Sequence, residues 1–496
     1  MASILLATLN AKYIHASFGL RYLLANLDEL RPQAALAEFD ITQRPIDVAE
    51  AILQQHPQIV GFGVYIWNVA PTHQVIAILR QLRPDLKIIL GGPEVSHETN
   101  RQPIAELADY VITGEADLAL PQLCRQILAG SPPGTRIIHA PTPDLAQLRL
   151  PYDLYTTDDT AHRIIYVEAS RGCPFSCEFC LSSLDIPVRQ FPLPPLFEAF
   201  AQLLDRGVNQ FKFVDRTFNL NLEASTRVLE FFHRHYRPGL FLHFELIPDR
   251  LPEALRDGIA RFPPGTLQFE MGIQTFNPVV SELISRRQNV DRLEANLRFL
   301  RERTGVHLHA DLIAGLPGES LESFAAGFDR LLALRPHEIQ VGILKRLRGT
   351  PIARHEQPFQ MLYSTDPPYE ILQNRHLDFP TLQRLRRFAR YWDLVYNSGR
   401  FIHTAQLIWS NRASAFHAFM EWSDWLYQQT GQRHGIALHR LAELLFNFLT
   451  QHRALHTDRV AVALRADFAR SGPSDTPPFL RRSEERRVGK ECRSRW

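Results

Sequence analysis

Two long stretches of this sequence alternate short apolar runs with amphipathic segments, and this alternation restricts the available folds more than any other feature. The first stretch spans residues 3–130 and the second spans residues 164–344. Strands that alternate with helices predict parallel sheets covered by helices, because each parallel pair of strands needs a long crossover connection. We therefore predict an α/β fold with two separate parallel sheets.

The first stretch has five strand candidates, at residues 4–9, 35–41, 59–67, 87–90 and 110–113. Between them lie helical patterns such as residues 72–82, where Val75, Ile76 and Leu79 share one face. Five strands in strict alternation predict a small doubly wound, Rossmann-like domain over residues 1–130. In such a domain, ligands bind at the carboxyl ends of the strands.

A proline-rich linker is predicted at residues 131–160, and six further strand candidates follow it, at residues 164–169, 210–214, 240–246, 267–273, 307–313 and 338–344. Six βα units are fewer than the eight of a closed barrel, so residues 161–350 are predicted to form a partial (βα)6 barrel. Residues 351–470 carry helical patterns and are predicted to form an all-α domain. Residues 471–496 are predicted to be disordered, and residues 483–496 resemble a vector-derived translation, so we expect an altered or missing native C-terminus.

The composition fits a globular, cytoplasmic protein. Of the 496 residues, 45% are hydrophobic and 22% are charged, and the net charge of +2 gives no general electrostatic reason to expect a nucleic-acid partner. No apolar run is long enough for a membrane span, so no membrane partner is expected. Five cysteines are too few for a disulfide scaffold, which favours a reducing compartment.

Three of those cysteines, Cys173, Cys177 and Cys180, follow the first strand of the second stretch in a C-x3-C-x2-C arrangement. Structural zinc usually takes four ligands in two pairs, and no second pair follows. Soft thiolates on one loop suit a [4Fe-4S] cluster. The other candidates for a fourth ligand are Cys124, on an apolar helix, and Cys492, in the tail. Three ligands for four irons leave one iron open to bind a further molecule.

With the aromatic Phe179 before its third cysteine, this motif resembles the signature of the radical S-adenosylmethionine (SAM) enzymes, which use partial (βα)6 barrels. The resemblance implies that SAM chelates the open iron and that Phe179 lies near its adenine. A one-electron transfer then cleaves SAM to methionine and a 5'-deoxyadenosyl radical. It also implies an external one-electron reductant of the flavodoxin or ferredoxin type.

Further matches to this family lie at strand ends within residues 164–351. Asp215 and Arg216 follow the second strand, where the family meets the amino group of SAM, although relatives more often have an acidic residue at the position of Arg216. Glu270 and Gln274 lie where ribose hydroxyls are bound. Gly315 follows the fifth strand, where the backbone approaches adenine.

The first domain resembles the cobalamin-binding domain that precedes the barrel in one large class of these enzymes. Glycine-rich turns at its strand ends could let the backbone approach a large flat ligand, although such turns also fit a nucleotide. The residues that the resemblance implies for cobalamin are Asn10, Gly63, Val64, Tyr65, Gly91, Gly92, Glu94, Gly114 and Glu115. The D-x-H-x-x-G motif of other cobalamin proteins is not present, so we do not expect His15 to bind the cobalt from below.

These resemblances predict a cobalamin-dependent radical SAM enzyme, and most directly a C-methyltransferase that acts on an unactivated carbon of a small-molecule substrate. In that scheme one SAM methylates cobalamin and a second SAM gives the radical that abstracts a substrate hydrogen. One alternative is a non-methylating oxidase or cyclase of the magnesium-protoporphyrin cyclase kind. Another is a non-catalytic cobalamin or redox sensor. The sequence identifies neither the substrate nor a catalytic side chain.

The helical domain carries a basic, aromatic segment with two interpretations. It comprises Arg384, Arg386, Arg387, Arg390, Tyr391 and Trp392. These side chains could stack on an anionic or nucleobase substrate. The more common interpretation is a solvated helix face with an aromatic core side.

Overall fold

The computed structural model describes residues 3–470, 477, 479 and 480. Its first sheet has six strands, which are β1 (Ile4–Asn10), β2 (Ala34–Asp40), β3 (Ile59–Gly63), β4 (Lys87–Gly91), β5 (Tyr110–Thr113) and β6 (Ile137–His139). The sheet order is β2-β1-β3-β4-β5-β6, and all pairs are parallel. The five predicted strands are confirmed. The sixth strand is new: β6 falls inside the predicted linker, where its three residues gave too short a signal.

Helices cover both faces of this sheet, as the doubly wound prediction requires. They are α1 (Phe18–Ala25), α2 (Pro45–Leu53), α3 (Val69–Leu82), α4 (Pro103–Glu106) and α5 (Ala119–Leu128). One apolar core joins α2, α3 and α4 to the face that carries Leu5 and Leu9. A second core joins α1 and α5 to the face that carries Ile4 and Leu6. The carboxyl end of the sheet is left for ligands.

After α6 (Thr157–His162) comes the second sheet, with β7 (Ile165–Val167), β10 (Gln210–Phe213), β11 (Phe241–Leu246), β12 (Leu267–Gln274), β13 (His307–Ala314) and β14 (Glu338–Ile343). A short antiparallel pair, β8 (Ser170–Arg171) and β9 (Arg189–Gln190), flanks the loop that carries the cysteines. The sheet order is β14-β13-β12-β11-β10-β7, with every pair parallel. Six parallel strands in sequential order confirm the partial barrel.

The barrel helices are α7 (Leu193–Asp205), α8 (Leu222–Arg234), α9 (Glu253–Ala260), α10 (Pro278–Leu283), α11 (Val290–Arg303) and α12 (Leu321–Ala333). They pack on an aromatic-rich core between strands and helices, where Phe213 and Phe244 stack 4.5 Å apart. The strand residues that face the helices are apolar and form this core. Functional side chains are therefore expected on the residues that face the barrel interior and at the strand ends.

The C-terminal region is mainly helical, with α13 (Phe379–Trp392), α14 (Ile402–Trp409), α15 (Ala415–Thr430), α16 (Leu438–Asn447) and α17 (Thr457–Ala469). The all-α prediction missed a two-stranded antiparallel ribbon, β15 (Leu362–Tyr363) and β16 (Ile371–Gln373). Its strands are too short to show a period in the sequence. Among the described helices, none has both the length and the apolarity to cross a bilayer. Apart from three residues, the predicted disordered tail lies outside the described residues.

Ion pairs at two strand-end loops join the first domain to the rest of the chain, and one of them includes the buried carboxylate of Glu94. After β4, Glu94 pairs with Arg348 at 2.9 Å and accepts a 2.6 Å hydrogen bond from the Tyr369 hydroxyl. After β5, Glu115 pairs with Arg171 at 2.7 Å. Both contacts lie at the carboxyl end of the first sheet, so they fix that end against the barrel.

Candidate functional site

Two cavities open at the carboxyl ends of the two sheets, and they share part of their walls. The first, of about 360 Å³, lies over the first sheet and is lined by turns from both domains. The second, of about 230 Å³, lies over the barrel strands and contains the cysteine loop. Ser182 and Arg216 line both cavities. Ligands in the two cavities would therefore be neighbours.

The first cavity gathers six of the nine residues predicted for cobalamin, which are Gly63, Tyr65, Gly91, Gly92, Gly114 and Glu115. Most of its other lining is apolar. Gly92 has a φ of +106°, and a Cβ there would lie 2.5 Å from the carbonyl oxygen of Val64. Only glycine therefore fits this turn, which lets the backbone form the wall itself.

The other three predicted residues lie outside that lining. The side chain of Asn10 donates hydrogen bonds to the carbonyl of His15 (2.8 Å) and to Glu38 (3.0 Å). Val64 is fully buried, and its backbone nitrogen bonds to the carbonyl of Gly91 at 2.8 Å. Glu94 is committed to Arg348 and Tyr369. These three residues hold the turns of the cavity in place and do not line it. A sequence motif does not distinguish such a structural residue from one that contacts a ligand.

His15 has a structural partner away from the first cavity. Its Nδ1 lies 2.7 Å from the hydroxyl of Tyr166 on β7. None of the residues that line the first cavity, among those that the structure describes, is a histidine. This placement agrees with the expectation that His15 does not bind cobalt from below.

The second cavity brings together the residues that the sequence placed on separate strand ends. Cys173, Cys177, Phe179 and Cys180 line it on one side, and Arg216, Glu270 and Gln274 line it on the other. Burial raises the pKa of the Cys173 thiol, and the two other thiols add to that rise. Within the described residues, no group of three or more His, Cys, Asp or Glu side chains is arranged to hold a metal ion, so the thiols do not form a ready-made single-ion site.

The cysteine loop is held in place by Glu178, which lies between Cys177 and Cys180 in the sequence and is buried. It accepts hydrogen bonds from Ser285 Oγ at 2.6 Å and from Arg354, and its Oε2 lies 2.8 Å from Nε2 of His355. Its backbone nitrogen also donates to the carbonyl of Ile284 at 3.1 Å. Segments after α10 and after β14 therefore converge on this one side chain.

Asp215 and Arg216 have different surroundings although they are adjacent. Asp215 is buried outside the cavity lining, where it accepts hydrogen bonds from the backbone nitrogen of Ala169 (2.9 Å) and the Ser170 hydroxyl (2.6 Å). Burial raises the pKa of Asp215 to about 6, although those hydrogen bonds lower it. Arg216 lies at the junction of the two cavities and pairs with Glu245 at 2.9 Å.

Glu270 and Gln274, on β12, face the second cavity. Burial raises the pKa of Glu270, but the neighbouring His243, His309 and Lys212 outweigh it and bring the pKa to about 2. Gln274 has a φ of +70°. Gly315 does not line the cavity: a Cβ there would lie 2.7 Å from the side chain of Ile371, so this glycine serves packing.

The second cavity passes a test of fit for a polar ligand beside the thiols. Thr217 Oγ1 and Gln274 Oε1 belong to its lining, are buried, and have no hydrogen-bond partner in the described part of the chain. Buried polar atoms are rarely left unpaired, so these two are suited to the hydroxyl and amine groups of a ligand. Three thiols and such acceptors fit a [4Fe-4S] cluster with SAM.

Sequence reasoning missed several residues of this cavity, among them Asp249, Arg286, Gln288 and Asp311. Asp249 comes shortly after β11 and Asp311 lies within β13, so the strand pattern offered a signal for both residues. Arg286 and Gln288 lie in a loop after α10 that folds back onto β12, where Gln288 donates to the carbonyl of Ile273 at 3.0 Å. No local sequence pattern predicts that this loop folds back onto β12.

In the helical region, the basic and aromatic segment of α13 faces two ways. Tyr391 and Trp392 are fully buried in the core. Arg384 pairs with Asp424 at 2.7 Å, Arg386 pairs with Glu370, and Arg387 lies over the ring of Tyr427. This arrangement matches the interpretation as a charged helix face with an aromatic core side.

Comparison with protein families matches the three parts of the chain separately. The family described as "B12 binding domain" matches residues 4–124, and "Radical SAM superfamily" matches residues 167–331. The chain carries a B12-binding domain followed by a radical SAM domain. A third family, "Protein of unknown function (DUF4080)", matches residues 357–495, which includes the segment that resembled a vector-derived translation.

Solved structures share this arrangement of a B12-binding domain and a radical SAM domain. The cobalamin-dependent SAM radical enzyme OxsB with aqua-cobalamin bound has a TM-score of 0.63 at 12% identity, over 96% of this chain and 81% of that one. The methyltransferase TsrM from Kitasatospora setae, with tryptophan and a SAM analogue, has a TM-score of 0.60 at 17% identity, over 80% of this chain and 90% of that one. At these identities the likeness concerns the fold.

Among curated relatives, an uncharacterized methyltransferase of Pyrococcus horikoshii is 25% identical over 320 residues, which are 56% of this chain and 65% of the relative. The chain spans 65% of that relative's length and about half of the length of two further curated relatives.

Proposed function

We propose that this chain is a cobalamin-dependent radical SAM methyltransferase that methylates an unactivated carbon of a small-molecule substrate. The observation that carries the proposal is the contact between the two cavities, whose shared wall contains Ser182 and Arg216. Methyl transfer from cobalamin to a carbon radical needs both reactive centres beside one substrate. The names of the relatives and the ligands of OxsB and TsrM support the same proposal.

The side chains have separate tasks in this proposal. Cys173, Cys177 and Cys180 would hold a [4Fe-4S] cluster, while Glu270 and Gln274 would bind the ribose hydroxyls of SAM. The glycine turns after β3, β4 and β5 would accept the flat face of cobalamin. When bound, these groups supply a 5'-deoxyadenosyl radical and a methyl group. An external reductant of the flavodoxin or ferredoxin type would supply the electron.

Anaerobic reconstitution with iron, sulfide and cobalamin tests this proposal. With SAM and a one-electron reductant, we expect both S-adenosylhomocysteine and 5'-deoxyadenosine. Formation of 5'-deoxyadenosine without S-adenosylhomocysteine would favour a non-methylating oxidase or cyclase. No SAM cleavage at all would favour a non-catalytic sensor.

A matched pair of cysteine variants controls for general damage. Cys177→Ser should lose most of its iron, because it removes one of three cluster ligands. Cys124→Ser should keep its iron, because Cys124 lies on the buried face of α5 and lines neither cavity. Equal iron contents in the two variants would contradict the assignment of the cluster site.

A further inference from the structure

Arg286 reaches a cysteine sulfur inside the second cavity. Its Nη1 donates a hydrogen bond to Sγ of Cys177 at 3.5 Å, and its Nη2 donates to the carbonyl oxygen of Gly272 on β12. Its Nε is buried without a hydrogen-bond partner in the described residues. The guanidinium therefore contacts the sulfur of Cys177 and is held in that position by a hydrogen bond to the backbone of β12.

The position of Arg286 is fixed by the loop that carries it. Its backbone nitrogen donates to the carbonyl of Ser281 at 2.8 Å, and the Ser281 hydroxyl donates back to the carbonyl of Arg286 at 2.6 Å. The carbonyl that receives Nη2 belongs to Gly272, where a Cβ would collide with the side chain of Gln274. Glycine therefore leaves room for the Gln274 side chain beside Arg286, whose Nη2 would lie 3.6 Å from that Cβ.

The charge of Arg286 is not offset by a neighbouring carboxylate. Among the described residues, no Asp or Glu lies within ion-pair distance of its guanidinium, whereas the other arginine of the cavity, Arg216, pairs with Glu245 at 2.9 Å. A guanidinium stays protonated at any pH that a protein survives. A full positive charge therefore lies within 3.5 Å of the sulfur of Cys177, one of the proposed cluster ligands.

We propose that Arg286 raises the reduction potential of the [4Fe-4S] cluster and so makes it easier to reduce. This inference rests on the proposed function. Reduction adds one electron to the cluster, and a one-electron donor outside the chain loses it. The reduced cluster carries one more negative charge, which a cation and a hydrogen bond at a ligand sulfur stabilise relative to the oxidised cluster.

The test is an anaerobic redox titration of the reconstituted protein, followed by the EPR signal of the reduced cluster and performed without SAM. For Arg286→Gln we expect the ratio of reduced to oxidised cluster at a fixed potential to fall about tenfold, which for a one-electron couple equals about 59 mV. Arg286→Lys keeps the charge and should fall between wild type and Arg286→Gln. Arg292→Gln, an exposed change on α11 with the same loss of charge, should titrate like wild type.

A second titration with SAM separates this role from direct binding of SAM. If Arg286→Gln shifts the potential only when SAM is present, Arg286 acts on SAM and the inference is wrong. Wild-type potentials for both Arg286→Gln and Arg286→Lys would also overturn it. If Arg286→Gln takes up too little iron to titrate, a wild-type potential for Arg286→Lys with unchanged iron would overturn it. A wild-type protein that binds no cluster would instead refute the proposed function.

Discussion

Replacing Gly172 by alanine should displace the loop that carries the three cysteines. Gly172 has a φ of +91°, and a Cβ there would lie 2.6 Å from the carbonyl oxygen of Pro187 and 2.9 Å from that of Asp185. The next residue, Cys173, donates its backbone N–H to the same Asp185 carbonyl at 2.9 Å. Relief of the collision must therefore move the loop away from its own hydrogen-bond acceptor.

The loss of stability in Gly172→Ala has two parts, one from the positive φ and one from the collision of the added Cβ. A left-handed backbone costs a residue with a Cβ about 1–2 kcal/mol. Loss of the Cys173 hydrogen bond adds about 1 kcal/mol, and the collision adds about 1–3 kcal/mol more. Gly207 makes a suitable control because its φ is +89° and nothing lies within 4 Å of its Cβ position, so Gly207→Ala should cost only the first part.

Thermal unfolding and iron content measure the two effects. We expect Gly172→Ala to unfold at a lower temperature than Gly207→Ala and to retain less iron after anaerobic reconstitution. Equal iron contents and equal midpoints for the two variants would refute the reasoning, because the collision would then have no consequence for the cysteine loop.

Three further predictions concern other parts of the molecule. Glu178→Ala should lose iron, because a buried carboxylate that collects Ser285, Arg354 and His355 anchors the loop, whereas Arg354→Ala should lose little because the Arg354 side chain is 62% exposed; iron analysis compares them. Bound cobalamin should show no histidine-nitrogen splitting in the EPR spectrum of its cobalt(II) form, and His15→Ala should leave that spectrum unchanged; splitting lost in His15→Ala would contradict the placement of His15 against Tyr166. Burial raises the pKa of Glu319 to about 7 from an ordinary 4.5, so folding favours its neutral form, and the stability that this form contributes below pH 4.5 is lost as the pH rises toward 7. Up to about 3 kcal/mol is involved, and Glu319→Gln, which keeps an acceptor for Thr275 and Ser323, should flatten the pH dependence of denaturant unfolding between pH 4.5 and 7.

The sequence predicted the strands well because each carries a dense apolar run. All six barrel strands and the first five strands of the first sheet appear within a few residues of their expected bounds. The β6 strand was missed because only Ile137 and Ile138 are apolar there. The ribbon of β15 and β16 was missed for the same reason, since strands of two or three residues show no period.

The candidate site was predictable where residues lie at strand ends and less so where loops return. Cys173, Glu270 and Gln274 were placed correctly in one cavity, because parallel strands bring their carboxyl ends together. Arg286 was not found, because its contact with Cys177 spans 109 residues of sequence and depends on a turn fixed by Ser281. Glu94 and Gly315 lie at strand ends too, yet they serve contacts between domains and packing.

The charged contacts that fasten the first domain have a consequence for how a substrate reaches the shared wall. A hinge motion that separated the domains would have to break the pairs of Glu94 with Arg348 and of Glu115 with Arg171 together, so that both loops lost their charged partners in the other domain. A hydrogen bond between charged groups contributes about 1.5–3 kcal/mol, so these pairs together oppose such an opening. A substrate that enters without such an opening would pass through the side of the barrel. There, Asp249, Arg287 and Gln288 line both the second cavity and a wider cavity of about 700 Å³ beyond it. The residues of this side opening would then select the substrate before it reaches either cofactor.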